Sequence, residues 1–222
     1  MQTKPQAIIF DMDGLLIDSE SLWFEAEKKV LAKVGIDLSY NMFLKTRGLR
    51  EDEVVDYWYG KYKWITLSKE EVVNEILNRV TDLIEEKGNL LPGARATITL
   101  VRNMGCKVAL VSSSYIGVIQ AVLKKFNFNN FDCVYSAENE IKGKPDPAVY
   151  LTACNKLNVE AKKCLAFEDS VNGVKAAKAA GIVCIAVPAR EEKNDERFKI
   201  ADSIINSLEE VNKKLILDVF AK

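Results

Sequence analysis

Histidine is absent from this sequence of 222 residues. Its absence excludes Ser-His-Asp triads, Cys-His pairs, phosphohistidine chemistry and most zinc sites. Proton transfer near neutral pH must therefore fall to carboxylates, lysine, tyrosine, cysteine or water. Cysteine is scarce as well: the count of five is odd and no Cys-x-x-C pair occurs. That usage favours buried free thiols over disulfides or metal ligation.

Long apolar runs and an excess of charge of one sign are also missing. No apolar stretch approaches the roughly 20 residues that a membrane helix needs, and the run at 7–10 is too short for a signal peptide. The 31 basic and 32 acidic residues give a net charge of -1, which implies no extended basic surface for nucleic acid. We therefore expect a cytoplasmic monomer that has neither a nucleic-acid nor a membrane partner.

The pattern of apolar residues predicts an α/β fold. A continuous apolar run at 7–10 predicts a buried strand, and further strands are expected at 107–112, 133–137, 164–167, 183–187 and 203–205. Helical periodicity between and around these strands predicts helices at 94–104, 116–126, 147–157, 171–180 and 208–217. This alternation is typical of a Rossmann-like, doubly wound parallel sheet with helices on both faces.

The segment after the first strand differs in character from the rest. Apolar residues recur there at helical spacing from about 20 to 88, which predicts roughly four helices, and Pro92-Gly93 ends the pattern. We therefore predict a catalytic core made of residues 1–17 and 92–222, interrupted by an inserted helical cap domain at 18–91.

Polar side chains follow four of the predicted strands at the point where each strand ends. In order along the chain these are Asp11 and Asp13, then Ser112 and Ser113, then Lys144, and finally Glu168 and Asp169. Ligands of open parallel sheets bind outside the carboxyl ends of the strands, so these groups are expected to share one site.

Such a group of side chains is suited to phosphoryl chemistry. Crowded carboxylates repel one another, and Mg²⁺ bound by Asp11, Asp13, Glu168 and Asp169 would relieve that repulsion. Lys144 and the metal can neutralise a phosphate whose oxygens the Ser112 hydroxyl helps to hold. One aspartate can then form an aspartyl-phosphate while a second carboxyl moves the proton. Each motif alone can be explained as a turn, a helix cap or a surface lysine. Because such residues occur at the ends of four strands, a shared functional site is favoured.

The same motifs carry a family resemblance. Asp11-Met12-Asp13-Gly14, Ser112, Lys144-Pro145 and Glu168-Asp169-Ser170 resemble the haloacid dehalogenase superfamily, in the subgroup of β-phosphoglucomutase and small sugar-phosphate phosphatases, over essentially the whole chain. The resemblance implies a mobile helical cap, Asp11 as nucleophile and Asp13 as general acid/base. It also implies Mg²⁺ held by the Asp11 side chain, the Asp13 carbonyl and Asp169, with Glu168 in or beside that shell.

A narrower resemblance concerns the substrate. The segments 11–20, 54–64, 187–189 and 194–198 are similar to bacterial hexitol-phosphate and 2-deoxyglucose-6-phosphate phosphatases. That resemblance implies a phosphoric monoester hydrolase acting on hexitol or deoxyhexose 6-phosphates. A β-phosphoglucomutase-type mutase is the alternative, although such mutases carry a histidine where this sequence places Trp23. A remote alternative is a non-catalytic phosphosugar-binding protein, which has no need of both Asp11 and Asp13.

The predicted cap contributes candidates for substrate binding. Arg47 and Arg50 flank a short loop that could contact phosphate or sugar oxygens, and Glu20 could accept hydrogen bonds from sugar hydroxyls. Surface arginines and helix capping are the alternatives. Trp23, Trp58 and Trp64 could offer an apolar face to a sugar, or could belong to the core.

Overall fold

The structure, a computed structural model, describes residues 4–221. Residues 1–3 and 222 of the predicted core lie outside the described residues. The strands are β1 (Ala7–Phe10), β2 (Lys107–Ser112), β3 (Cys133–Ser136), β4 (Cys164–Glu168), β5 (Val183–Ala186) and β6 (Ser203–Ile204). The helices are α1 (Glu20–Leu31), α2 (Tyr40–Phe43), α3 (Glu51–Tyr62), α4 (Lys69–Lys87), α5 (Ala94–Asn103), α6 (Ile116–Lys125), α7 (Ala148–Leu157), α8 (Val171–Ala179) and α9 (Lys213–Phe220).

Within the described residues, the strands form one parallel sheet in the order β3-β2-β1-β4-β5-β6. Strand β1 lies between β2 and β4, and every one of its residues is buried. The strand order reverses at β1 and β4, which makes their carboxyl ends the switch point of the sheet. The predicted doubly wound α/β fold is confirmed.

Alternate residues of β1 face opposite sides of the sheet, and each side has its own apolar cluster. Ile8 and Phe10 belong to the cluster that includes residues of α5, α6 and α9, whereas Ala7 and Ile9 belong to the cluster that includes residues of α7 and α8. This arrangement explains why β1 is a continuous apolar run rather than an alternating one, because both of its faces are covered.

The helices α1 to α4 lie between β1 and α5 in sequence, and the segment that they form (residues 20–87) is called the helical segment below. Its apolar residues share the cluster of Ile8 and Phe10, so that the segment packs on the core rather than standing apart. Helix α4 begins with a capping box, in which Ser68 accepts a hydrogen bond from the Glu71 amide and Glu71 accepts one from the Ser68 amide. The proposed boundaries of a cap domain at 18 and 91 stay a prediction.

The predicted strands and helices occur within one residue of their expected bounds, apart from the last helix. Instead of one helix at 208–217, the chain forms a 3-10 turn at Leu208–Glu210 and then α9. The break lies at Asn212, whose backbone is extended (φ -140°) and whose side chain accepts a hydrogen bond from the Leu215 amide at 2.9 Å. An asparagine in this conformation begins a new helix instead of continuing the old one.

Two composition-based expectations have structural counterparts. All five cysteines are buried free thiols, as predicted. Across residues 4–221, none of the helices combines the length and the apolar character that crossing a membrane requires.

Candidate active site

The predicted site residues meet at the carboxyl edge of the sheet. Asp11 directly follows β1, Ser112 ends β2, and Asp169 directly follows β4. The Asp11 amide donates to the Phe167 carbonyl at 3.1 Å, which continues the pairing of β1 with β4 one residue beyond the strand. One cavity of about 90 Å³ is lined by Asp11, Asp13, Ser112, Ser113, Lys144, Asp169, Arg47 and Glu20.

Lys144 is the buried cation at the centre of the site. Its Nζ lies 2.6 Å from Asp11 Oδ1 and 2.7 Å from Glu168 Oε1, and only 2% of the side chain is exposed. Burial lowers the pKa of Lys144, but the charges of Asp11 and Glu168 outweigh it and raise the pKa above its ordinary value. Lys144 therefore carries a fixed positive charge next to the carboxylate of Asp11.

Three carboxylates crowd the same edge. Asp11, Glu168 and Asp169 each place an oxygen within 4.8 Å of the others'. Burial raises the pKa of Asp11 well above its usual range; Lys144 opposes this rise, and Glu168 and Asp169 add to it. Burial likewise raises the pKa of Asp169 to about 7. A buried group of like charges with oxygen ligands matches the requirements of a hard divalent cation.

Two glycines make room for these carboxylates. A Cβ at Gly14, whose φ is +73°, would lie 2.3 Å from Asp169 Oδ2. A Cβ at Gly173 would lie 1.9 Å from Glu168 Oε2. Both positions therefore exclude any larger residue while the acidic groups hold this arrangement.

Glu168 is more deeply enclosed than the other acids. Its Oε1 accepts hydrogen bonds from Lys144 and from the Tyr150 hydroxyl, whereas Oε2 is buried with no hydrogen-bond partner in the described part of the chain. Unlike Asp11 and Asp169, Glu168 is not among the cavity-lining residues. Its Oε1 thus positions Lys144, and its Oε2 is left without a partner next to Gly173.

Asp13 lies at the same edge but has neutral partners. Its Oδ1 accepts from the Ser19 hydroxyl at 2.7 Å and from Trp23 Nε1 at 2.8 Å. Its Oδ2 accepts from the Ser114 hydroxyl at 2.7 Å and from the Ser112 hydroxyl at 3.3 Å. Four donors, two of them from residues that precede or belong to the helical segment, therefore fix the orientation of this carboxylate.

Arg47 connects the helical segment to the core. Its Nη2 lies 2.8 Å from Asp169 Oδ2, and its Nη1 lies 3.2 Å from Glu20 Oε2 and 2.7 Å from Glu192 Oε2. Burial lowers the pKa of this guanidinium, but the three carboxylates raise it above its ordinary value. Arg47 is therefore a buried, paired cation in the cavity wall rather than a surface arginine.

The loop around Arg47 closely approaches the core. The Ser113 hydroxyl donates to the Gly48 carbonyl at 3.1 Å. A Cβ at Gly48, whose φ is +78°, would lie 3.1 Å from the Ser170 hydroxyl oxygen. Ser170 also caps α8, since its side chain accepts from the Gly173 amide at 3.0 Å. The helix-cap interpretation of Ser170 is thus confirmed, and the same motif also places Asp169 in the cavity wall.

Arg50 differs from the expectation that it contacts substrate. Its Nη1 donates to the carbonyls of Ala137 and Glu140, at 2.9 and 2.7 Å, and its remaining donors pair with the Asp52 carboxylate. Arg50 does not line the cavity. Its guanidinium instead bonds the backbone carbonyls of the core and the carboxylate of Asp52, two residues further along the chain. It joins the helical segment to the loop after β3.

Sequence reasoning missed several polar groups of the site. The sequence presents Trp23 as an apolar face, a core residue or the counterpart of the mutase histidine, but not as the donor to Asp13 that its Nε1 is. Tyr150, which bonds Glu168, carries no sequence signal, since it lies at an ordinary buried position of α7. Glu27 and Glu51 line the cavity as well, and nothing in their spacing marked them out. Trp58 and Trp64 are buried among the apolar residues of the core.

Comparison with known proteins agrees with this geometry. Residues 5–181 match the haloacid dehalogenase-like hydrolase family. The chain is 46% identical over 213 residues to hexitol phosphatase B of Escherichia coli K12, covering 95% of this chain and 96% of that protein. Its fold matches CbbY of Rhodobacter sphaeroides in complex with phosphate (TM-score 0.88, 26% identity, 96% of this chain and 99% of that one). It also matches β-phosphoglucomutase of Clostridium difficile (TM-score 0.85, 25% identity, 97% of each chain).

Proposed function

We propose that this chain, which belongs to the haloacid dehalogenase-like hydrolase family, is a Mg²⁺-dependent phosphatase of hexitol and deoxyhexose 6-phosphates. The observation that carries this proposal is the placement of Asp11 and Asp13 in one cavity, with Lys144 bonded to Asp11 at 2.6 Å. The similarity to hexitol phosphatase B supports the choice of substrate class.

The residues present fit Mg²⁺. Asp11, Glu168 and Asp169 supply carboxylate oxygens, and Glu168 Oε2 is buried without a partner among residues 4–221. Such an orphaned oxygen is costly unless a cation or donor occupies its surroundings. We assign the metal to Asp11, Asp169 and the Asp13 carbonyl, with Glu168 in or beside that shell. When bound, it supplies positive charge that neutralises the phosphate of the substrate.

Asp11 acts as the nucleophile in this mechanism. Lys144 contacts its Oδ1, so we assign the attack on phosphorus to Oδ2. The new bond joins that oxygen to phosphorus, and the bond between phosphorus and the ester oxygen of the substrate breaks. Lys144 holds a phosphate oxygen as the transfer proceeds, and the hydroxyls of Ser112 and Ser113 join it by turning away from Asp13 Oδ2 and the Gly48 carbonyl.

Asp13 moves the proton in both half-reactions. It first gives a proton to the departing alcohol oxygen, and the resulting carboxylate accepts from Ser19, Trp23 and Ser114. It then takes a proton from the water that attacks phosphorus, which releases inorganic phosphate and restores Asp11. Direct bonding of Trp23 to Asp13 means that the helical segment takes part in orienting the proton-transfer group.

The alternative function, that of a β-phosphoglucomutase-type mutase, fits this site less well. The chain contains no histidine, and Trp23 occupies the place in the first cap helix where such mutases carry one. Trp23 Nε1 can donate a hydrogen bond to Asp13 but cannot exchange a proton near neutral pH. We therefore propose hydrolysis rather than return of the phosphoryl group to a sugar, in a cytoplasmic monomer with no nucleic-acid or membrane partner.

The test is phosphate release, with Mg²⁺, from a panel of hexitol, hexose and deoxyhexose 6-phosphates and from β-glucose 1-phosphate. Each reaction is followed by NMR for isomerised sugar phosphate. Free phosphate from the 6-phosphates without isomer supports the phosphatase. Glucose 6-phosphate formed from β-glucose 1-phosphate would make the chain a mutase, and tight binding without turnover would make it a phosphosugar-binding protein.

A further inference from the structure

Two glutamates of the helical segment line the same cavity as the catalytic residues. Glu27 belongs to α1, and Glu51 is the first residue of α3. They come from a different part of the chain than Asp11 and Lys144, which the core supplies. The helical segment also contributes four apolar or aromatic side chains to this cavity, Trp23, Phe43, Leu49 and Val54, and three other polar ones, Glu20, Thr46 and Arg47.

Both glutamates are buried, and one carboxyl oxygen of each lacks a hydrogen-bond partner in the described residues. Glu27 is 3% exposed and Glu51 is 5% exposed, and neither Glu27 Oε2 nor Glu51 Oε1 has a hydrogen-bond partner among the described residues. Burying a carboxyl oxygen without a partner costs free energy. A glutamate that stays buried in this way therefore calls for a functional explanation. Glu20, in the same helix as Glu27, shows the ordinary alternative, since it bonds Arg47 and Tyr40.

Glu27 and Glu51 differ from the acids at the sheet edge, where Asp11 pairs with Lys144 and Asp169 pairs with Arg47. No cation offsets the burial of Glu27, which raises its pKa to about 8. Burial also raises the pKa of Glu51 well above its usual range, and Glu27 and Asp52 add to that rise. Both shifts favour the protonated carboxyl, which offers both a donor and an acceptor.

A hydroxyl group also offers one donor and an acceptor, so it can complement a protonated carboxyl fully. An ammonium group, in contrast, calls for an ionised partner. An apolar substrate chain would leave the polar atoms of Glu27 and Glu51 as unsatisfied as they are in the free protein. The surroundings of the two glutamates thus favour a chain of hydroxyl groups.

We propose that Glu27 and Glu51 bind the hydroxyl groups of the substrate's carbon chain and thereby select polyol phosphates over phosphates with apolar chains. The inference rests on the proposed function, because it places the phosphate of the same substrate at Asp11 and Lys144. It adds two specificity residues, which contact the carbon chain of the substrate and not its reacting phosphate.

The experiment compares two substrates with the same carbon number, sorbitol 6-phosphate and hexyl phosphate. Wild-type protein should favour sorbitol 6-phosphate in kcat/KM. Glu27→Leu and Glu51→Leu should each lower kcat/KM for sorbitol 6-phosphate by about tenfold or more, because each removes hydrogen bonds to the substrate. Hexyl phosphate should change by less than about twofold, since it makes none of those bonds.

Conservative variants and stability separate binding from a structural role. Glu27→Gln and Glu51→Gln keep a donor and an acceptor and should recover part of the loss. The leucine variants should raise Tm of the free protein, because they remove unsatisfied buried polar groups. Glu86→Gln, at an exposed position of α4, is the matched control and should leave both substrates and Tm unchanged.

Equal losses on both substrates, or a lower Tm in the leucine and glutamine variants alike, would assign the glutamates a structural role and overturn the inference. A wild-type preference for glucosamine 6-phosphate over glucose 6-phosphate that these variants abolish would make the site an ammonium site instead.

Wild-type turnover of p-nitrophenyl phosphate without turnover of any polyol phosphate would refute the proposed substrate class and this inference together. Normal sorbitol 6-phosphate turnover in all four variants would refute only the inference.

Discussion

Trp23 Nε1 lies 2.8 Å from Asp13 Oδ1, so that a side chain of α1 donates a hydrogen bond to a carboxylate of the catalytic edge. The same oxygen accepts from Ser19, which immediately precedes α1. Asp13 is thus oriented jointly by the core and by the start of the helical segment. A displacement of α1 would remove two of the four donors that hold this carboxylate.

Trp23→Phe should lower kcat for sorbitol 6-phosphate about fivefold to tenfold, because it removes one hydrogen bond to Asp13 but keeps an aromatic ring. KM should change less than kcat, since the bond acts on the proton-transfer group rather than on substrate binding. Steady-state kinetics measure both constants. Trp58→Phe is the matched control, because Trp58 Nε1 is buried with no partner in the described residues. A kcat loss as large in that control would exclude the specific role of Trp23.

Asp13→Asn should slow transfer of the phosphoryl group to Asp11 from sorbitol 6-phosphate far more than from p-nitrophenyl phosphate. An alkoxide leaving group needs a proton from Asp13, whereas p-nitrophenolate leaves without one. We expect a difference on the order of 10²-fold between the two losses, within the range that general acid catalysis supplies. Rapid-quench measurement of the first turnover with each substrate separates this transfer from hydrolysis of the phosphoenzyme, which both substrates share. If the first step loses the same rate with both substrates, Asp13 is not the acid.

Mg²⁺ should raise Tm of the protein, because it binds the folded carboxylate cluster and has no such site in the unfolded chain. The expected gain is about 3 kcal/mol when free Mg²⁺ exceeds its dissociation constant about 100-fold. Differential scanning fluorimetry with and without EDTA tests this independently of activity. Asp169→Asn should abolish the gain, whereas Asp195→Asn, outside the cluster, should preserve it. A Tm insensitive to Mg²⁺ in the wild type would remove the metal assignment.

Glu27 should make the folded protein less stable as the pH rises. Its pKa is about 8 in the folded protein against an ordinary 4.5, so the folded state binds the proton more tightly. The corresponding stabilisation is complete below about pH 4.5 and is lost as the pH rises through about 8. Urea unfolding of wild type and Glu27→Gln between pH 5 and about 9 measures it. The difference in free energy of unfolding between the two proteins should change by up to about 1.4 kcal/mol per pH unit. A difference that does not depend on pH would contradict the raised pKa of Glu27.

The sheet could be predicted because its signals are local. The run at 7–10 is wholly apolar since both faces of β1 are covered, and it ends where Asp11 enters the site. The motif at 168–170 likewise combines the end of β4 with the cap of α8. Where the local signal was ambiguous, the prediction was wrong: the apolar spacing at 208–217 continued across Asn212, whose capping bond divides that stretch.

The contacts across the cavity could not be predicted in the same way. Arg47 and Arg50 are three residues apart in one loop, yet one pairs with Asp169 and the other with backbone carbonyls after β3. Which arginine enters the cavity depends on how the helical segment packs on the core, and no sequence spacing encodes that packing. The positions of Glu27 and Glu51 in the cavity were even harder to predict, because charged residues on amphipathic helices are ordinarily expected to face solvent.

In the proposed mechanism, Asp11 receives the phosphoryl group. Rapid-quench single-turnover reactions with ³²P-labelled sorbitol 6-phosphate, followed by proteolysis and mapping of the label, identify the residue that is phosphorylated. We predict a transient, hydroxylamine-labile label on the peptide that contains Asp11, absent in a folded Asp11→Asn variant that also shows no turnover. Phosphate release at the wild-type rate from Asp11→Asn, or label on another peptide, would contradict the account.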